Sequence, residues 1–162
     1  MNTRIRSSLI VIFFIPLFSQ TANAVDLTGS WEGKWKCKYF SGGAYTSDEN
    51  VSSTMKISQS GEDLNVVIDD NFFNYHGIVK TSNTNANKGA ASFISCKTDT
   101  TLIAPSGYNE LISAKVAVNP QTGGAVLTAV STGQQFTADA VSSICHYTMK
   151  RVNTDDPLIP PC

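Results

Sequence analysis

Residues 31–39 alternate strictly between apolar or small residues and charged ones, reading WEGKWKCKY. In a β-strand, successive side chains point to opposite faces, so this pattern places one face against a core and the other in water. No later stretch of the chain sustains the period of a helix. The segment therefore predicts a half-buried first strand and an all-β fold.

Short alternating segments recur after this strand, separated by clusters of Gly, Asn, Ser, Asp and Pro. Residues 60–63 and 119–124 have the composition of tight turns, residues 82–89 that of a polar loop, and residues 153–162 that of an irregular tail. Such spacing is typical of a two-sheet sandwich or a barrel. Seven further strands are predicted, over residues 50–59, 64–69, 76–81, 90–98, 111–118, 125–131 and 142–152.

Pairing of the first strand with the last favours the barrel. If Trp31 lies opposite Arg151 in an antiparallel pair, Cys37 falls opposite Cys145. The same register gives an aromatic pair (Trp35 with Tyr147), an opposite-charge pair (Glu32 with Lys150) and the pair of Gly33 with Met149. We therefore expect an eight-stranded antiparallel up-and-down barrel in which the end strands close the sheet.

Four cysteines, Cys37, Cys96, Cys145 and Cys162, imply two disulfides if the chain is exported. The strand register pairs Cys37 with Cys145, which leaves Cys96 for Cys162 and ties down the tail. The other two pairings remain open. No C-x-x-C spacing points to a metal site.

Residues 1–24 have the features of a signal peptide. Arg4 and Arg6 precede an unbroken apolar run over residues 9–18, and Ala22 and Ala24 form a small-x-small cleavage pattern. The run is too short for a typical membrane span, although an uncleaved anchor is the alternative. We expect residues 25–162 to form one domain, periplasmic or secreted, with no membrane span after signal removal.

Removal of the signal takes two arginines and no acidic residue, which leaves a mildly acidic mature chain. A nucleic acid or an anionic membrane surface would require a basic patch, so neither is an expected partner.

Catalytic patterns are not evident. The chain has neither G-x-S-x-G nor H-E-x-x-H, and His76 and His146 lie outside metal-binding spacings. Asp69, Asp70 and Asn71 offer oxygen ligands for calcium, but these residues also dominate ordinary turns. We expect no enzyme activity, no cofactor and no metal.

Two binding sites are therefore candidates. The barrel interior would hold a small hydrophobic molecule, lined by Trp35, Tyr39, Met55 and Tyr147. Alternatively, an aromatic loop of Phe72, Phe73 and Tyr75 would anchor an exported protein partner. The same aromatic residues would plug the barrel end if they folded back.

The combination of Gly29 and Trp31 at the first strand with Arg151 at the end of the last resembles the lipocalin-like barrels of the calycin group. That resemblance implies that Trp31 packs at a closed base beneath Arg151. The chain departs from many lipocalins because no helix pattern follows the last strand. The chain is also similar to exported bacterial barrels that inhibit peptidases or lysozyme. A third similarity is to secreted bacterial proteins that open with G-x-W-x-G-x-W-x-C, and this one implies a fold but no activity.

Overall fold

The computed structural model describes residues 25–69, 73–96, 108–135 and 141–159. These residues form eight antiparallel strands in which each strand bonds to the next and the eighth bonds to the first. The predicted closed barrel is confirmed. The strands are β1 (Gly29–Ser41), β2 (Ala44–Ser60), β3 (Asp63–Ile68), β4 (Phe73–Ser82), β5 (Asn85–Ser95), β6 (Tyr108–Val118), β7 (Ala125–Gln135) and β8 (Val141–Asn153).

Strands β1 and β8 pair in the register that the sequence predicted. Trp31 lies opposite Arg151, Trp35 opposite Tyr147, and Cys37 opposite Cys145. The two cysteines form a disulfide with their Cα atoms 4.1 Å apart, facing the interior and buried. Cys96 is also disulfide-bonded, but its predicted partner Cys162 lies outside the described residues.

One end of the barrel, the base, is closed by residues 25–28, which precede β1. The Leu27 side chain is fully buried there, and its carbonyl accepts a hydrogen bond from Trp31 Nε1 at 3.1 Å. The Arg151 guanidinium lies 5.7 Å from the centre of the Trp31 ring, within the range of a cation–π interaction. It also donates hydrogen bonds to the carbonyls of Asp26, Thr28 and Gly123. Arg151 therefore ties the first segment and the β6–β7 turn to the base.

The lower half of the barrel is filled by apolar side chains. Alternate residues of each strand point inward, and the fully buried ones include Trp31, Met55, Ile57, Leu64, Phe93, Ile112, Leu127 and Met149. Gly33 makes room in this layer, because its backbone lies directly against Thr148 and Met149 of β8. Packing of this kind leaves the base without space for a ligand.

The prediction of a polar loop over residues 82–89 is wrong. Strand β4 continues to Ser82 and β5 begins at Asn85, so a two-residue turn joins them. Most side chains of this hairpin tip are exposed. The segment therefore lacks the apolar alternation by which a half-buried strand is recognised in a sequence. The start of β2 was missed for the same reason, because the side chains of Ala44–Asn50 are exposed on both faces. This segment pairs with β1. The connecting turn contains Gly42 and Gly43, which both have the positive φ that a type I′ turn requires.

The described residues contain no helix that is long and apolar enough to cross a membrane.

The Cys37–Cys145 disulfide closes a loop of 108 residues between the two end strands. In the chain-entropy treatment, a crosslink of this length stabilises by about 4–5 kcal/mol. We expect Cys37→Ala/Cys145→Ala to lower the free energy of unfolding by up to that amount in urea titrations. Peptide mapping without reductant should recover Cys37 joined to Cys145. Recovery of Cys37 joined to another cysteine would contradict the register.

A methyl group at Gly33 would collide with the backbone of β8. We expect Gly33→Ala to lower the free energy of unfolding by about 1–3 kcal/mol, because overpacking forces the strands apart. Gly124→Ala is the matched control, since its new Cβ would approach only the flexible Thr122 side chain. Equal urea midpoints for the two variants would show that β1 and β8 are not held this closely.

Candidate functional site

The end of the barrel opposite the base is here called the mouth. Its large inward-facing side chains are those of Trp35, Tyr39, Tyr75, Glu110 and Tyr147, and the Cys37–Cys145 disulfide lies between the Trp35–Tyr147 pair and the level of Tyr39. They come from the last part of β1, the first parts of β4 and β6, and the middle of β8. Unlike the base, the mouth combines aromatic rings with polar groups.

Glu110 is the central polar group of the mouth, and only 3% of it is exposed. The hydroxyl of Tyr75 donates a hydrogen bond to its Oε2 atom. The hydroxyl of Tyr147 lies 3.4 Å from Oε1, a longer contact of the same type. The Glu110 backbone is fixed as well, because its N–H donates to Ser95 Oγ at 2.8 Å. The acidic side chain is thus held from β4 and β8, and its backbone from β5.

Sequence reasoning missed Glu110, although a signal was present. Ile112, Ala114 and Val116 are buried at alternate positions of β6. Extending that alternation back by one step places Glu110 on the inward face. The predicted strand began at Leu111, since an acidic residue is an unusual inward residue. The closed barrel shows that the carboxyl group of Glu110 lies on the same inward face of β6 as these apolar residues.

Small residues lie beside Glu110. Gly133 of β7 is its direct cross-strand neighbour, and Ser143 of β8 follows next in the same row. One row toward the base, the Ser131 hydroxyl is fully buried and has no hydrogen-bond partner. Because these side chains are short, the wall next to Glu110 takes up little of the interior.

The predicted lining residues divide between the mouth and the core. Trp35, Tyr39 and Tyr147 share the mouth, where Trp35 and Tyr39 are only partly buried. Met55 is fully buried and lies between Trp31 and Ile68 in the register, which places it in the filled part of the barrel. The structure therefore brings three of the four residues together.

The expected exposed aromatic loop is wrong in part. Tyr75 is a buried, inward-facing residue of β4, and its hydroxyl donates a hydrogen bond to Glu110. Phe73 also belongs to β4 and packs, half-buried, against the core. Phe72 lies outside the described residues. The folded-back arrangement that the sequence also allowed is thus the one adopted by Tyr75.

Burial and nearby acidic groups change the pKa of Tyr39 in the mouth. Its pKa is raised, first by partial burial, then by the negative charge of Asp48, with a smaller effect of Glu110. Both acidic groups disfavour the phenolate. The negative charges of Asp48 and Glu110 thus act on the Tyr39 hydroxyl.

Metal-binding geometry is not found among the described residues, where no three His, Cys, Asp or Glu side chains cluster. His76 is exposed, within 3.3 Å of Asn65 Oδ1, and His146 is exposed opposite Lys36. Asp69, one of the three residues considered for calcium, accepts hydrogen bonds from Ser53 Oγ and from the Thr54 N–H. Its carboxylate therefore ties β2 to the turn after β3, while Asp70 and Asn71 lie outside the described residues.

The outer wall carries an apolar strip that the sequence analysis did not identify. Ile94, Leu111, Thr132 and Ile144 are consecutive neighbours on β5, β6, β7 and β8, here called the outer apolar row. Its three large side chains are each at least half exposed, and a shallow groove runs along them.

No family model, no curated protein and no solved structure matches the chain. The closed eight-stranded antiparallel barrel is consistent with a lipocalin-like architecture.

We expect Asp48→Asn to lower the pKa of Tyr39, because it removes a negative charge that disfavours the phenolate. The contribution of this raised pKa to the free energy of unfolding is fully present below the pKa of the unfolded chain, ~10. It is lost as the pH rises through the pKa of Tyr39 in the folded protein. Absorbance titration near 295 nm, compared with a Tyr39→Phe variant, measures the shift. Glu49→Gln, which removes an exposed acid paired with Lys36, is the control and should leave Tyr39 unchanged. An unchanged curve for Asp48→Asn would contradict this account.

Proposed function

We propose that this protein is an exported, non-enzymatic binding protein that holds a small, mainly apolar ligand in the mouth of its barrel. The observation that carries the proposal is the difference between the two ends. Inward side chains at the base, such as Trp31 and Met149, are fully buried, whereas Trp35 and Tyr39 at the mouth keep accessible surface. An inward aromatic ring that remains accessible borders space that a ligand can occupy.

The architecture beside Trp35 supports access to that space. Val51, the β2 neighbour of Trp35, is 36% exposed. Strand β2 pairs with β3 only from Met55 onward, so among the described strands its earlier residues pair with β1 alone. The wall is therefore less complete here than at the base, which suits entry of a small molecule.

Export is supported by the Cys37–Cys145 disulfide, since such bonds persist in oxidising compartments. A periplasmic or secreted location is part of the proposal, together with cleavage of the signal after Ala24. A binding role, rather than a catalytic one, is supported by the exposed positions of His76 and His146, away from the mouth.

Native mass spectrometry of the mature, disulfide-bonded protein tests the proposal. We expect a retained or added small molecule, and thermal stabilisation by neutral lipophilic compounds such as 1-naphthol. Trp35→Ala should weaken binding of that compound at least tenfold, because it removes an aromatic wall of the mouth. Val126→Ala, which shortens an exposed apolar side chain on the outer face, is the control. A clean apo mass without stabilisation by any lipophile would refute ligand binding.

Binding of another exported protein is the second candidate, favoured by the outer apolar row. Contiguous exposed apolar side chains mark interaction sites more often than isolated ones do. We expect the double variant Leu111→Ser/Ile144→Ser to lose a periplasmic partner that the parent protein captures at defined stoichiometry. Val152→Ser, which changes an exposed apolar residue at the end of β8, should keep it. Equal capture by both variants would exclude the row as the contact surface.

A further inference from the structure

We infer that the group recognised in the mouth is a protonated amine, which pairs with Glu110. This inference rests on the proposed function, because it names the chemical class of ligand for the same site. The observation that leads to it is an acidic side chain inside the barrel whose hydrogen-bond partners, among the residues that the structure describes, are neutral.

Acidic side chains are almost never fully buried unless a cation or several donors compensate them. Glu110 is 97% buried, and the groups that approach its oxygens are the phenols of Tyr75 and Tyr147. Among the described residues, no Lys, Arg or His forms an ion pair with it. The described ion pairs lie elsewhere: Lys36 with Glu49 on the outer face, and Arg151 with Asp26 at the base.

The oxygens of Glu110 retain capacity for further donors. A carboxylate has about four acceptor positions, and the two phenols use two of them. An ammonium group carries three N–H donors and a positive charge, so it would supply further hydrogen bonds and a compensating charge that the described part of the chain does not provide.

A second, independent group in the same part of the interior lacks a partner. Ser131 Oγ is fully buried without a hydrogen bond, and it lies on the inward face of β7, two residues from the cross-strand neighbour of Glu110. A hydroxyl oxygen accepts a hydrogen bond from an amine as readily as from water. Two polar groups that need donors therefore lie in adjacent rows of one wall.

Short side chains follow Glu110 along the wall. Gly133 and Ser143, the next two residues of the Glu110 row, have little or no side chain. On the far side of Ser143, the row continues to Tyr39 of β1. A ligand with an apolar body and an amine head would place its body against Tyr39 and Trp35 and its head at Glu110.

Three probes of similar size distinguish the recognised group: 2-phenylethylamine, 2-phenylethanol and phenylacetate. With the mature, disulfide-bonded protein, calorimetry at neutral pH should show the amine binding at least tenfold more tightly than the alcohol. Phenylacetate should not bind measurably, because its charge would be placed beside Glu110. Binding of the alcohol or the acid as tightly as the amine would overturn the inference.

Variants locate the preference. Glu110→Gln keeps the size and an acceptor oxygen, so it should reduce amine binding to the level of the alcohol and leave alcohol binding unchanged. Glu110→Asp keeps the charge and should retain a preference for the amine. Glu49→Gln removes an exposed acid on β2 and should behave as the parent protein. An amine preference that survives in Glu110→Gln would contradict the assignment.

The results also separate this inference from the proposed function. If the alcohol and 1-naphthol bind but the amine is not preferred, ligand binding stands and the amine assignment fails. If none of the probes nor any other lipophile binds, the proposed function fails and the assignment with it. Should Glu110→Gln not fold, the order of the three probes on the parent protein decides the question.

Discussion

Pairing of β1 with β8 is the contact on which the rest of the structure depends. It joins the two end strands of the sheet, so neither keeps an open edge. The register of this pair places Cys37 against Cys145 and brings Arg151 over Trp31. A shift by one residue would turn every inward side chain of one strand outward and separate all of these contacts. The disulfide, the closed base and the enclosed mouth are therefore consequences of one alignment.

Closure divides the interior into two parts with different physical roles. At the base, large apolar side chains pack to full burial. Arg151 donates hydrogen bonds to the backbone carbonyls of Asp26 and Gly123 and so satisfies these acceptors. At the mouth, the same inward rows carry Glu110, tyrosines and small residues. Burial of an acidic group lowers stability unless it is compensated, so natural sequences retain such groups mainly where they have a use. This contrast, more than the barrel itself, makes the mouth the candidate site.

Sequence reasoning succeeded where one strand face is buried and failed where none is. The alternation in residues 31–39 and 142–152 located β1 and β8 and their register. The extended hairpins at 44–50 and 82–89 have largely exposed side chains, so their composition looked like that of loops. At the site, Trp35, Tyr39 and Tyr147 could be predicted as inward aromatics. Glu110 was missed because an acid is an unusual core residue, although the alternation of β6 placed it on the inward face. The inward position of Tyr75 was one of two arrangements that the sequence allowed for the aromatic segment.

The sequence by itself indicated the all-β class and favoured the pairing of the end strands with the disulfide between them, because alternation is a local property and two alternating segments can be aligned by their complementary residues. Only the tertiary structure decided which inward positions are filled and which retain accessible surface. That outcome depends on the volumes of side chains contributed by all eight strands at the same level of the barrel. Tyr75 and Tyr147 lie 35 and 37 residues from Glu110 along the chain, and they meet around it only once the sheet has closed.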